Sequence, residues 1–410
     1  YVQRRQQLLS MMQEGAVAVL PSAGLKTRNK DTHFAFRQDS DFLYLSGFNE
    51  PDAVMVLIPG RAAGEAILFC NEKDPLKELW DGKRLGPEGV VSELQFDDAF
   101  PIDDIDEILP GLLEGASRVY YALGKDQSFD ASMMEWLNTL KAKARSGATP
   151  PGEFVDLDHY LHEMRLIKSK AEIELMQHAA TISAEAHCAA MKAGPCSDYE
   201  FQLEAEIQAH CVRSGARFQA YTPIVGAGEN ACILHYTEND QAMSKNDLVL
   251  IDAGCELDGY ASDITRTFPV GGKFSEEQKA LYNVVLEAQY AAIEVARVGN
   301  SWDQPHNETV RVVTEGLVDL GLLKGDVAQL IEAGAYRDFY MHRAGHWLGL
   351  DVHDVGAYKI DDQWRLLEEG MVMTIEPGIY VSPNNENVEE RWRGIGIRIE
   401  DDVVITRGKP

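Results

Sequence analysis

Two apolar runs, Leu248 to Gly254 and Tyr260 to Phe268, flank the dipeptide Asp258-Gly259. Between β-rich runs, that dipeptide marks a two-residue type I′ hairpin, whose central residues both need positive φ. The turn sets the register. Leu257 falls opposite Tyr260, Gly254 opposite Asp263, and Asp252 lies diagonal to Asp263 on one face, within side-chain reach. Two carboxylates that close repel, so both ionise at neutral pH only beside a cation; otherwise one keeps its proton. Small residues (Ala253, Gly254, Ala261, Ser262) clear space around the pair, and Leu248 to Ile251 reads as buried strand. Both features argue against two unrelated acids on an exposed sheet face.

Three further stretches carry chemistry. Met341 to Asp354 holds His342, His346 and His353, three of the chain's 11 histidines. His342 and His346 are four apart, as in a helical zinc motif, but that motif needs Glu after the first His and Arg343 stands there. Neutral imidazole still suits first-row metals and proton transfer, although a His taken alone is more often a satisfied structural residue. Met373 to Tyr380 places Glu376 at the end of an apolar strand, where Pro377-Gly378 halts pairing. In Gly394 to Asp401, alternation puts Arg398 and Glu400 on one face and Ile397 and Ile399 on the other. With the isoleucines inward, a plain surface is the competing reading for Arg398 and Glu400. Oxygen donors with one nitrogen favour Mn²⁺, Co²⁺ or Zn²⁺ over copper, and the carboxylate excess tilts toward Mn²⁺. Bridging carboxylates can hold two such ions about 3.5–4 Å apart.

With 410 residues the chain exceeds one ordinary core, so two domains are expected. Lys and Arg number 38 against 66 Asp and Glu, a formal charge of -28. Such a chain repels phosphate backbones and anionic membranes, which excludes nucleic acid and membrane as partners. It suits a cationic ligand or bound metal, or simply solubility. The six cysteines are scattered without a C-x-x-C pair and read as buried, reduced side chains. Apolar runs such as Ala53 to Ile58 are far too short to span a bilayer. No signal-peptide pattern is visible in a sequence that begins at Tyr1, and a soluble cytoplasmic protein is expected.

Residues 1–165 alternate β-rich runs (Ala16 to Pro21, Ala53 to Pro59, Ala66 to Cys70, Arg118 to Tyr121) with helical stretches, predicting an α/β domain with a partly parallel sheet. The loose stretch Ala144 to Gly152 marks its end, followed by a connector helix from His159 to Ile167. In residues 166–410, capping boxes open helices at Ser169 to Glu172, Ser197 to Glu200 and Ser275 to Gln278. In the second of these, Tyr199, Leu203, Ile207 and Cys211 would share a face. Strand-like runs at Thr222 to Val225, Cys232 to Tyr236, Leu248 to Gly254 and Tyr260 to Phe268 follow. A further helical pattern spans Asn307 to Leu320, before more strands. Two helices then strands, twice over, suggest an internal duplication.

The ordered set Asp252, Asp263, His346, Glu376 and Glu400, within IDAGCELDGYASDITRTF, MHRAGHWLGLDVHDVG, TIEPGIY and GIGIRIEDDVVIT, resembles the metal-dependent Xaa-Pro aminopeptidase (aminopeptidase P) family. That family shares the pita-bread fold with methionine aminopeptidases, prolidases and creatinase. Phe34 to Leu57 is similar to the N-terminal domain of the same enzymes. The resemblance implies an N-terminal mixed-sheet domain followed by a catalytic pita-bread domain with pseudo-two-fold duplication, assembled as a homo-oligomer (dimer or tetramer). It implies two divalent metals bridged by Asp263 and Glu400, with Asp252 completing one site and His346 and Glu376 the other. It further implies that hydroxide held between the metals attacks the carbonyl before proline, with Glu376 managing the proton. His235, His342, His353 and Arg398 would handle substrate or support the ligands. The implied partners are peptides with proline at the second position.

Rival readings remain. A prolidase would cleave only Xaa-Pro dipeptides, and a non-catalytic pita-bread protein or a metal-free creatinase-like enzyme would have no use for all five ligand positions. Gly226-Ala227-Gly228 imitates a dinucleotide fingerprint, but strand-like residues follow it where a helix is needed. No G-x-S-x-G elbow occurs. Trp80, in ELWDGKRLG, is either a partly buried structural residue or part of a loop reaching another subunit's site.

Overall fold

The computed structural model describes residues 1–408, and the chain divides into two units, meeting between Met164 and Arg165. The first is built on a six-stranded sheet: β1 (Ala16–Pro21), β2 (Val54–Leu57), β3 (Ala66–Cys70), β4 (Asp98–Pro101), β5 (Arg118–Tyr120) and β6 (Glu153–Val155). The spatial order is β4-β3-β2-β1-β5-β6. β1–β2 and β2–β3 pair antiparallel, while β3–β4, β1–β5 and β5–β6 pair parallel. The sheet is therefore mixed, as expected. Val17, Val19, Val54, Val56, Ile67 and Phe69 pack against Leu109 and Leu113 of α1 (Ile105–Leu113) and Met133, Trp136 and Leu140 of α2 (Gln127–Ala142). The loose stretch from Ala144 does not end this unit, because β6 follows it as an edge strand of the same sheet. Trp80 lies on the short helix Pro75–Asp81 and is 86% exposed, so it is not a buried structural residue.

The second unit repeats one pattern. α3 (Lys170–Ala193) and α4 (Glu200–Arg213) precede β7 (Ile224–Ala227), β8 (Leu248–Asp252), β9 (Cys255–Leu257), β10 (Tyr260–Ala261) and β11 (Thr265–Pro269). Next, α5 (Glu276–Val295) and α6 (Gln304–Asp319) precede β12 (Val372–Ile375), β13 (Gly378–Val381), β14 (Ile395–Arg398) and β15 (Asp401–Val404). All strand pairs in this unit are antiparallel. Alternation sorts the faces. Val249 and Ile251 pack on Ala179, Ile182, Leu203 and Ile207 of α3 and α4. Ile379, Val381, Ile395 and Ile397 pack on Leu281 and Val285 of α5 and Val313 and Leu317 of α6. Each set of strands thus turns its apolar face to a helix pair. The opposite faces of β8 and β14, carrying Asp252 and Arg398, meet each other.

The hairpin forms as its turn dictates. Asp258 and Gly259 have φ of 49° and 88°, Leu257 pairs with Tyr260, and Asp252 faces Thr265, leaving Asp263 on its diagonal. A Cβ on Gly254 would lie 1.7 Å from Ser262 O, so only glycine lets the two chains cross there.

Several expectations need correction. Cys232 to Tyr236 is not a strand; Gly228–Cys232 forms a 3-10 turn and the backbone after it closes on itself, Ile233 N donating to Asn230 O and Tyr236 N to Ile233 O, rather than to a neighbouring strand. The cap of α4 sits at Tyr199, not Ser197. Gln202 Oε1 accepts from Asp198 N and Tyr199 N at 2.7 and 3.1 Å, whereas Glu200 turns inward. Tyr199 is accordingly 43% exposed while Leu203, Ile207 and Cys211 are buried. All six cysteines are unpaired, but Cys188 and Cys196 are exposed rather than buried. Arg398 and Glu400 are 3% and 1% exposed, which excludes a plain surface. Among the described residues, no helix is long and apolar enough to cross a membrane.

Candidate metal centre

Asp252 ends β8 on the face opposite the helices, and Asp263 follows the hairpin. A single hydroxyl, that of Tyr221, lies 2.5 Å from Asp252 Oδ1 and 2.5 Å from Asp263 Oδ1. β14 and the residues just after it bring Arg398 and Glu400 to the same place. Arg398 Nη2 donates to Asp252 Oδ2 at 2.6 Å, and Thr265 Oγ1 donates to Glu400 Oε2 at 2.6 Å. From the irregular stretch after α6, His346 Nε2 lies 3.3 Å from Asp263 Oδ2 and 3.8 Å from Glu376 Oε1. Donor atoms of Asp263, His346 and Glu400 all fall within 4.8 Å of one another. The five expected ligand positions, drawn from both halves of the unit, therefore converge.

Around them, His342 Nδ1 lies 3.7 Å from Glu376 Oε2, and its Nε2 lies 2.8 Å from the Tyr380 hydroxyl, which also accepts from Arg398 Nη1 at 3.0 Å. The His353 ring stands 4.3 Å from that of His346, edge to face. His235 is exposed on the turn after Cys232.

Burial pushes Asp252 above the usual carboxylate range despite the Arg398 guanidinium. Burial, then the charges of Asp263, Glu376 and Asp252, push Glu400 far higher. Glu376 is raised by burial to about 7, against the pull of His346 and Arg398. For His346, burial would lower the pKa, but the hydrogen bond to Asp263 and the Glu376 charge outweigh it and lift it to about 9. Burial and Arg398 hold His342 down to about 4. The pattern is a buried pocket short of positive charge.

A divalent metal fits that shortage. His346 Nδ1 lies 2.8 Å from Trp347 O, which can only accept, so Nδ1 keeps its proton and Nε2, facing the carboxylates, is the nitrogen that would give up its proton to a metal, the arrangement seen in metal-ligating imidazoles. Tyr221 has one hydroxyl proton for two carboxylates, so the second contact calls for another proton or a cation. A second group, Asp41, Asp158 and His162 in the first unit, also clusters its donors, but Lys125 Nζ already stands 2.9 Å from Asp41.

Residues 174–407 match metallopeptidase family M24, and residues 1–120 match the aminopeptidase P N-terminal domain. The chain belongs to metallopeptidase family M24. Within this family it is 47% identical to the Xaa-Pro aminopeptidase of Escherichia coli over 407 residues, covering 99% of this chain and 92% of that one. It is 35% identical to human Xaa-Pro aminopeptidase 3 over 427 residues, covering 100% and 82%. The solved aminopeptidase PepP of Pseudomonas aeruginosa superimposes with a TM-score of 0.98 at 56% identity, covering 100% and 92%. A zinc-substituted aminopeptidase P from E. coli, in complex with product, matches with a TM-score of 0.97 at 46% identity, covering 100% and 92%. The M24 fold and the N-terminal domain expected from the sequence are thus present.

Sequence reasoning missed Tyr221, Thr265 and Tyr380. Thr265 and Tyr380 lie inside the stretches singled out, two residues after Asp263 and four after Glu376. Tyr221 carried no local signal, since it precedes β7 in an irregular segment.

Proposed function

We propose that this chain removes the N-terminal residue from peptides with proline in second place, as a metal-dependent Xaa-Pro aminopeptidase. The carrying observation is the convergence of Asp252, Asp263, His346, Glu376 and Glu400 within a unit of metallopeptidase family M24. Full-length similarity to proteins named Xaa-Pro aminopeptidase favours this reading over a prolidase.

In this reading Asp252, Asp263, His346, Glu376 and Glu400 would hold two divalent metals, Asp263 and Glu400 being shared between them, Asp252 serving one, and His346 and Glu376 the other. What the metals supply when bound is Lewis acidity, which polarises the scissile carbonyl and brings a water's pKa near neutrality. Glu376 takes a proton at a carboxylate oxygen and returns it to the departing proline nitrogen. His235 and His353 steady the substrate and the charge developing on its carbonyl oxygen. His342 and Arg398 keep Glu376 and Asp252 in place by direct contact, and are themselves tied together by the Tyr380 hydroxyl. Manganese is the preferred metal on the carboxylate-rich donor set, with cobalt and zinc as substitutes. The cytoplasm and homo-oligomeric assembly complete the proposal.

The test is turnover of an Xaa-Pro tripeptide and an Xaa-Pro dipeptide, with chelator and then with Mn²⁺, Co²⁺ or Zn²⁺ restored. Activity lost to chelator, restored by metal and retained on the tripeptide is expected. Turnover confined to the dipeptide would favour a prolidase, and turnover indifferent to chelator would remove the metal.

A further inference from the structure

We infer that Glu200 is a positioning residue for His235, acting as the anchor around which residues 227–241 are wound. Glu200 is the first residue of α4 and is fully buried. Its Oε1 accepts from Ala227 N at 2.8 Å and Asn230 Nδ2 at 3.1 Å. Its Oε2 accepts from the Tyr236 hydroxyl at 2.8 Å and Gln241 N at 3.0 Å. A carboxylate has about four acceptor sites, so this one segment fills them all with neutral donors. The N-terminal end of α4 favours the remaining negative charge.

One turn on, Glu204 Oε2 accepts from Asn239 Nδ2 at 3.0 Å. Asn239 is buried, has φ of 51°, and also holds Val225 N and Pro223 O. The segment is gripped at both ends by one face of α4. Between the grips, Ile233 and His235 project outward, while Tyr236, next to His235, is fixed to Glu200. A buried carboxylate contributes little to stability that an apolar residue could not, whereas it can select one conformation of an irregular chain. Irregular chain with an exposed functional histidine is where such selection matters.

The inference rests on the substrate role given to His235. The experiment is a double-mutant cycle on the Mn²⁺-loaded enzyme with an Xaa-Pro tripeptide: wild type, Glu200→Gln, His235→Ala and the double variant. Gln turns one acceptor oxygen into an NH₂ that faces donors. With metal content unchanged, kcat/KM should fall roughly 10- to 100-fold in Glu200→Gln, the scale of a misplaced group. In the His235→Ala background the same substitution should cost less than about 2-fold, because coupled residues are not additive. Losses that multiply independently would overturn the inference while leaving His235's role intact. His235→Ala with wild-type kinetics would remove the role of His235, and the inference with it. Should Glu200→Gln not fold, Tyr236→Phe, which deletes a single donor, takes its place in the cycle under the same criteria.

Discussion

Arg398 grips Asp252 through an Nη2–Oδ2 contact of 2.6 Å, with the two side chains 4% and 13% exposed. The same guanidinium donates to the Tyr380 hydroxyl from Nη1 and to Thr265 Oγ1 from Nε. It therefore holds a proposed metal ligand, an aromatic hydroxyl and the threonine that bonds Glu400. Arg398→Lys keeps the charge but not the fork that serves three partners at once. We expect kcat/KM to fall roughly 10- to 100-fold. Arg398→Met leaves a buried carboxylate without its partner and should cost about 3–5 kcal/mol in the metal-free protein. Steady-state kinetics and urea unfolding read the two effects, and a lysine variant with wild-type kinetics would refute the first.

Removing a shared ligand differs from removing a neighbour. Asp263→Ala or Glu400→Ala should abolish metal retention after dialysis, because each carboxylate is proposed to serve both positions. His346→Ala should weaken retention of one metal, on the order of 10- to 100-fold or more, since even outer partners of ligands are worth that much. His342 reaches the site through Tyr380 and Glu376, so His342→Ala should lose activity while keeping its metals. Metal analysis beside kinetics checks this, and equal metal loss in the two histidine variants would erase the distinction.

What was legible in the sequence was local or inherited. Asp258-Gly259 announces its turn, the turn sets the register, and the register puts Asp252 diagonal to Asp263. Alternation correctly paired Arg398 with Glu400 on one face, but what covers that face comes from β8 and β11, more than 130 residues earlier. Glu200 shows the converse failure. Ser197 to Glu200 fits a capping box, yet partners 27 to 41 residues onward claimed the carboxylate, and the cap moved to Tyr199. The five proposed ligand positions were tied into one set by family motifs, because no single stretch reveals that four distant segments meet.

His187 should shape the acid side of the stability profile. It is buried in α3 with Nε2 3.0 Å from Ala253 O, and burial holds its pKa down, to about 4. Above the ordinary histidine pKa of about 6.5 the ring is neutral in both states. As pH falls from there toward about 4, the unfolded chain binds a proton that the folded chain refuses, so stability is lost through that window. His187→Gln can still donate to Ala253 O but cannot titrate. Its urea midpoint should therefore drop less than the wild type's between pH about 7.5 and about 5, and equal drops would reject the assignment.

Lys168 and Asp354 supply a test with the opposite kind of group. Burial would raise the Asp354 carboxyl, but Lys168 and Arg165 outweigh it and hold its pKa below the usual range. Lys168 Nζ stands 2.9 Å and Arg165 Nη2 2.5 Å from its two oxygens, all three side chains being buried. A depressed carboxyl contributes stability that is complete above the unfolded value of about 3.9 and is lost as pH falls through the lower folded value. Lys168→Met removes one of two cations, raises the folded pKa and, with Arg165 still in place, should cost about 1.5–3 kcal/mol at neutral pH. The gap to wild type should narrow below pH about 4, where the carboxyl takes up its proton in both proteins. Asp354 also follows His353 directly and its N–H donates to Trp347 O at 2.9 Å, so the trio fastens the stretch that carries His346. Lys168→Met should consequently release metal more readily on dialysis as well, and a variant destabilised at neutral pH with undiminished metal retention would confine the trio to holding the fold.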